Sequence, residues 1–339
     1  MVEMGLSSYE IVRRAIEFQK PPRMPVRFAS CGLDDTHLVY WNQIGSGDYL
    51  LPQTYDEWGC LWVRSETKNI GQVKGHPLND WSSLSTYRWP DPDDSRLYSG
   101  MEEKFKGPEG KYVLTRIFML LWERMYALRG FENALVDLLL ERKRIEILAD
   151  RIVEYDIAVI ENIAERFPGA IHGLRFTDDW GTERSMFIDP SLWEDFFKPR
   201  YARIFRAAHD KGWHVWMHTC GKVNAIIEHL IDIGLDVINL QQPRILGIQE
   251  IGERFRGRVC FESLCDIQQT LPFKGAEEIR EEARLLLECW ATKDGGFILS
   301  DYANGEAIGI DDEKKRIMLE TFLEFDPWKA NAWVNRGRI

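Results

Sequence analysis

The chain has 339 residues, 45% of them hydrophobic, enough to bury a large core as one decorated α/β barrel or as two ordinary domains. Its 43 Lys and Arg against 54 Asp and Glu leave a net charge of −11, with no basic run dense enough to track a phosphate backbone, which argues against nucleic acid and anionic membranes as partners. The six cysteines are sparse and unpatterned, no apolar run reaches bilayer length, and no signal core with a cleavage site opens the chain, so reduced thiols in a cytoplasmic protein are expected.

MVEMGLSSYEIVRRAIEFQ reads as an amphipathic helix, RMPVRFASCG (23–32) as a strand, and DEWGCLWVRS (56–65) as a strand or hairpin element. Residues 66–110 are rich in Gly, Pro, Asp and Ser and predict loop or lid with little regular structure. Residues 33–110 are accordingly read as a loop-rich insertion in one domain spanning 1–339. Trp41, Trp58, Trp62, Trp81 and Trp180 stand in polar contexts where pocket lining and core are equally good readings. From 112 the pattern turns regular. YVLTRIFML is a short apolar run, and 130–166 carries two helical patterns at 3.6 spacing. AIHGLRFTDDWG (170–181) predicts a strand ending in acids, and 190–211 a helix opened by an Asp cap and a Pro. WHVWMHTCG, LDVINLQQP, GRVCFESLCD and GGFILSDYANG predict strands, each followed by a helical pattern. At least five consecutive strand–helix units, and no G-x-G-x-x-G after the first strand, favour a (β/α)8 barrel over a doubly wound sheet.

Polar residues gather at one end of these strands. The C-terminal ends read Thr177-Asp178-Asp179-Trp180, His218-Thr219-Cys220, Gln241-Gln242, Glu262-Ser263-Leu264-Cys265-Asp266 and Ser300-Asp301-Tyr302-Ala303-Asn304, whereas the strand starts are plain. That end of a β/α barrel carries the active site. Alternation over 213–220 turns Val215 and Met217 outward and His214, Trp216, His218 and Cys220 inward. Over 258–265 it turns Val259 and Phe261 outward and Cys260 and Glu262 inward. A lone His-x-Cys on a strand often simply packs in a core, and Glu262 could pair with a neighbouring Arg or His. An unpaired buried carboxylate is costly and requires a metal, a cation or a proton. Imidazole, thiolate and carboxylate are usual zinc ligands, and three of them leave an open catalytic position. His218, Cys220 and Glu262 are therefore the candidate metal set, with Cys260, Cys265 and Asp301 left open as substitutes or additions.

The stretches DDWGT, DPSLWEDFFKP, HTCGKV, LIDIGLDVINLQQP, DIQQTLPF and GAEEI together resemble the uroporphyrinogen decarboxylase superfamily over about residues 110 to 325, with weaker agreement in RMPV and DEWGCLW. The resemblance implies a (β/α)8 barrel and one of two chemistries. Porphyrinogen decarboxylases carry an R-Q-A-G-R pattern that MPVRFASCGLDDTHLVYW lacks. The corrinoid-dependent methyltransferase branch places a His-x-Cys metal pair on the fifth strand, which His218 and Cys220 match. Coenzyme M enzymes of that branch add a Gly-Cys-Gly after the eighth strand; Asp301-Tyr302-Ala303-Asn304 stands there instead. The Trp-rich loops and GQVKGHPLNDW are more similar to the O-demethylase members.

The expected activity is transfer of a methyl group from a small methoxylated substrate, an aryl ether foremost, to the Co(I) corrinoid (cobalamin) of a separate protein. Zinc on His218, Cys220 and Glu262 would polarise the leaving oxygen, Asp179 and Glu183 would move protons or bind substrate, and Trp180 and Tyr302 would stack on the ring. No Asp-x-His-x-x-Gly loop is present, so the corrinoid is expected on a partner docking over the strand ends. A homodimer is left open. The rivals are a metal-independent decarboxylase of a carboxylated substrate and a barrel that only binds a ligand for a partner enzyme.

Overall fold

The computed structural model describes residues 6–42, 53–64, 71–107, 109–303 and 305–329. Eight strands run parallel: β1 (Val26–Phe28), β2 (Thr36–Val39), β3 (Tyr112–Ile117), β4 (Gly173–Thr177), β5 (His214–His218), β6 (Val237–Leu240), β7 (Cys260–Ser263) and β8 (Phe297–Ser300). Each strand from β2 to β8 pairs with the next, and β8 pairs with β1. Only the seam between β1 and β2 remains. There Leu33–Asp34 returns antiparallel against β1, and Arg27 Nε donates to Thr36 Oγ1 at 3.0 Å. The result is a nearly closed (β/α)8 barrel, as the alternating pattern predicts.

The two faces of the strands bury different clusters, which is why alternation could be read from the sequence. Val215, Met217, Val259 and Phe261 pack outward against the helices. Tyr112, Leu114, Trp216, Val237, Cys260 and Ile298 fill the interior, together with Val12 and Ile16 from the N-terminal helix Ser8–Ile16. That helix closes the lower end of the barrel, where the carbonyl of Ala15 accepts from Gly296 N at 2.8 Å.

The expected helix over 190–211 is two helices, Pro190–Phe196 and Lys198–His209. Pro199 has no N–H to continue the first, so the chain breaks at Phe197 and restarts. Three helices rather than two lie between β3 and β4, the unforeseen one being Trp122–Arg129. The segment before β3 is more regular than its composition suggests. Strands Gln53–Tyr55, Leu61–Val63 and Gln72–Gly75 form an antiparallel sheet, followed by short helical turns and the helix Met101–Lys104; residues 66–70 lie outside the described residues. This sheet is tied to helix Trp122–Arg129, with Arg124 on Asp56 at 2.7 Å and His76 Nδ1 on the carbonyl of Ala127 at 2.8 Å. Among the described residues no helix is long and apolar enough to cross a membrane.

Candidate active site

A cavity of about 490 Å³ opens at the C-terminal ends of the strands. Thr177, Asp179 and His218 form its polar side, Trp62, Phe118, Tyr126 and Phe131 its aromatic walls, and the small sheet roofs it through Trp62, Gln72 and Val73.

The two acids of the DDWG stretch have separate duties. Asp178 is fully buried and accepts from the backbone N–H groups of Leu121, Trp122 and Glu123 at 3.0, 2.8 and 2.7 Å and from the hydroxyl of Tyr201. It caps helix Trp122–Arg129 from just beyond the end of β4. Burial nevertheless pushes its pKa up to about 6. Asp179 faces the cavity instead. Its Oδ1 accepts from Cys220 N at 2.8 Å and lies 3.8 Å from His218 Nε2.

His218 ends β5, and its Nε2 is 3.4 Å from Cys220 Sγ. One ligand atom each from Asp179, His218 and Cys220 fall within 4.8 Å of one another, so this triad can hold a metal ion. Its donor set of carboxylate, imidazole and thiol suits zinc. The other nitrogen of His218, Nδ1, is 2.6 Å from Asn239 Oδ1. An amide oxygen can only accept, so Nδ1 carries the proton and Nε2 offers its lone pair to the triad. Asn239 is itself held, donating to the carbonyl of Glu262 at 3.1 Å and accepting from Arg175 at 3.3 Å. The turn after Cys220 depends on glycine: Gly221 has φ +89°, and a Cβ there would lie 2.2 Å from the carbonyl carbon of Gly181.

Glu123 completes the cavity. It is buried and receives a hydrogen bond from Thr177 Oγ1 at 2.8 Å. Burial, and then the charges of Asp179 and Asp178, push its pKa up, which favours the protonated carboxyl. Burial, followed by Asp179 and Glu123, also raises the thiol of Cys220.

The expected residues divide accordingly. His218, Cys220 and Asp179 come together. Glu262 is inward, as its parity predicts, but its carboxylate is taken by Arg27 and by Arg175 at 2.5 Å, and the third donor beside His218 and Cys220 is Asp179. Cys260 lies lower in the barrel and Cys265 turns outward to the carbonyl of Ile279, while Asp301 pairs with Lys315 at 3.2 Å. Trp180 is fully buried between Trp122 and Phe197, its indole N–H on Tyr201, and does not line the cavity. Glu183 is exposed on the hairpin bridged by Gly181 and Met186. Tyr302 is half-buried near Cys220, whose charge adds to burial in raising the phenol's pKa, but it is not part of the cavity wall. Sequence reasoning missed Glu123, Arg27, Arg175 and Asn239. For Glu123 there was a signal: an acid inside the apolar run FMLLWERMYAL.

The fold and the site define a (β/α)8-barrel protein with an aromatic cavity and a metal-ready triad at its strand ends. The family model described as "Uroporphyrinogen decarboxylase (URO-D)" matches residues 121–320, and the chain belongs to that family of enzymes. A methyltransferase from Methanosarcina mazei has the same fold, with a TM-score of 0.64 over 95% of this chain and 99% of that one at 16% identity. Native xylanase 10B from Thermotoga maritima superposes only loosely, with a TM-score of 0.42 over 94% of this chain and 100% of that one at 11% identity. No curated protein matches in sequence.

Proposed function

We propose that the chain is a corrinoid-dependent methyltransferase that takes the methyl group from a small methoxylated arene. The observation that carries this reading is the placing of a buried carboxyl group, Glu123, beside the Asp179–His218–Cys220 triad in one aromatic-walled cavity. An aryl ether presents a flat ring and a poor leaving group. Trp62, Phe118, Tyr126 and Phe131 suit the ring. Asp179, His218 and Cys220 would hold zinc, which when bound supplies Lewis-acid polarisation of an ether oxygen. Glu123 addresses the leaving group. As the methyl–oxygen bond breaks, the electron pair stays on oxygen and takes the Glu123 proton, giving a phenol rather than a phenolate. Thr177 fixes the carboxyl that donates it. The acceptor in this reading is the Co(I) corrinoid of a separate protein, in keeping with the resemblance to that branch of the superfamily.

The test is to mix metal-loaded protein, a reduced cognate corrinoid protein and a panel of methoxyarenes. The expected result is a change in the corrinoid spectrum with one phenol formed per corrinoid converted, lost on chelation with verified removal of metal. No spectral change across the panel would overturn the reading. A metal-independent decarboxylase is the second reading, favoured by the family match over residues 121–320. It predicts carbon dioxide release by the chain alone.

A further inference from the structure

Of the three triad side chains, His218 alone has a donor atom whose availability depends on where a proton sits. Asp179 and Cys220 present an oxygen and a sulfur, but an imidazole offers Nε2 only while its proton is on Nδ1. With the proton on Nε2, that nitrogen would turn donor toward Cys220 Sγ, 3.4 Å away, and Asp179 Oδ1, 3.8 Å away, and no lone pair would face the triad. The group that decides between these states is the carboxamide of Asn239, whose Oδ1 lies 2.6 Å from His218 Nδ1. Asn239 and His218 are register partners on β6 and β5, and Asn239 is only 1% exposed, so solvent does not compete for the contact.

A carboxamide has two unlike faces. Rotated by half a turn, Asn239 would set its NH2 against Nδ1, which would then have to accept, and the proton would pass to Nε2. Two neighbours oppose that rotation. The carbonyl of Glu262, which can only accept, receives Asn239 Nδ2 at 3.1 Å. Arg175, which can only donate, reaches Asn239 Oδ1 at 3.3 Å. In the rotated amide, oxygen would face oxygen and NH2 would face guanidinium, and both bonds would be lost in a buried place. Arg175 is held in turn by the carboxylate of Glu262 at 2.5 Å, which Arg27 also engages. Glu262 therefore secures both ends of the amide. Its main chain fixes the NH2, and its side chain fixes the arginine that fixes the oxygen.

We propose that Asn239, locked by Glu262 and Arg175, is a positioning residue that fixes the tautomer of His218 and so keeps the triad ready for metal. The ion cluster inside the barrel acts on the site through that amide without reaching the cavity. This rests on the metal reading of the triad above and on nothing about the methyl donor or acceptor.

Nitrogen-15 spectra of histidine in the metal-free, full-length protein, taken at about pH 8, above the ordinary imidazole range, report which ring nitrogen carries the proton. A His218→Gln sample assigns the signals, and competition with a chelator gives the zinc affinity. The parent is expected to carry the proton on Nδ1. Asn239→Leu removes the acceptor and is expected to move the proton to Nε2 and to weaken zinc binding by about 10- to 100-fold. Asn239→Asp presents oxygen on both faces and needs no lock, so it should keep the proton on Nδ1 and bind zinc at least as tightly as the parent. Arg175→Lys keeps a charge for Glu262 but loses the fork that spans to Asn239. It should weaken zinc binding in the parent and have no effect in the Asn239→Asp background, whereas a merely structural Arg175 would cost the same in both. A proton on Nε2 in the parent would overturn the proposal, as would unchanged zinc affinity in Asn239→Leu or an equal loss from Arg175→Lys in both backgrounds. Should Asn239→Leu not fold, the parent spectrum and the two Arg175→Lys measurements decide. A parent that binds no zinc would sink the metal reading of the triad, while the spectra still test the lock; a parent that binds zinc no better than its variants would sink the lock alone.

Discussion

Asp178 and Asp179 are adjacent in sequence and differ in what surrounds them. Three backbone N–H groups converge on Asp178, while Asp179 faces the cavity. Alternation alone would not tell which acid lines the site, because the strand ends at Thr177 before either. Glu123 shows the reverse difficulty: its role comes from a pocket assembled by three separate elements. Glu123→Gln keeps the shape and removes the proton. In the proposed reaction it is expected to slow methyl transfer from unactivated methoxyarenes by about 10²- to 10⁴-fold and to slow nitro-activated ethers far less, without changing zinc binding by the loaded protein; single-turnover phenol release measures this. His172 supports a prediction about stability instead. Its Nδ1 accepts from Val113 N at 2.8 Å, and burial lowers its pKa from 6.5 to about 4. The unfolded chain therefore binds the proton more readily than the folded one between those values. The stabilising contribution is complete above pH 6.5 and declines as pH falls toward 4. Melting temperature followed over that range should fall more steeply for the parent than for His172→Gln.

Among the elements, the strands were the most legible part of the sequence. Buried on both faces, they still alternate between two clusters, and the inward set on β5 and β7 could be read from parity. The small sheet was not legible, because strands of three or four residues without an apolar core of their own leave only a trace of pattern. The turn after β5 is the most exacting local element. Gly221 combines φ +89° with a backbone approach to Gly181 that leaves no space for a methyl group. Gly221→Ala is expected to cost about 1–3 kcal/mol in backbone strain alone and to displace Cys220. Chemical denaturation would read the strain, and zinc content after dialysis the displacement. Retention of both at the parent level would show that the turn can relax.

For the whole molecule, the order of strands and helices announced a barrel, but the ion pairs inside it left no mark on the sequence. Arg27 and Glu262 are 235 positions apart and meet only once the sheet curves around. Parity places Glu262 inside, but the arginines that engage its carboxylate could not be read from it: parity gives direction, not neighbours. The same long-range logic holds the roof of the cavity. Arg124, almost wholly buried, joins Asp56 of the small-sheet segment to the helix that carries Glu123. Arg124→Met leaves a buried carboxylate without its cation and is expected to cost about 3–5 kcal/mol. Limited proteolysis should then cut within the small-sheet segment first, while the barrel stays intact.

The N-terminal helix gives this barrel a floor. With Val12 and Ile16 inserted beneath Trp216, the lower end is filled, and the cavity lies at the opposite rim. A vessel with one mouth imposes an order of traffic. In the proposed reaction, a methyl acceptor carried on a protein would cover the opening through which the arene passes, so the arene would enter first, the partner would dock second, and the phenol would wait until the partner leaves. Product-inhibition kinetics should therefore show the ordered pattern, with phenol competing against arene and not against the corrinoid protein, and excess corrinoid protein should slow turnover by occupying the mouth of the empty barrel.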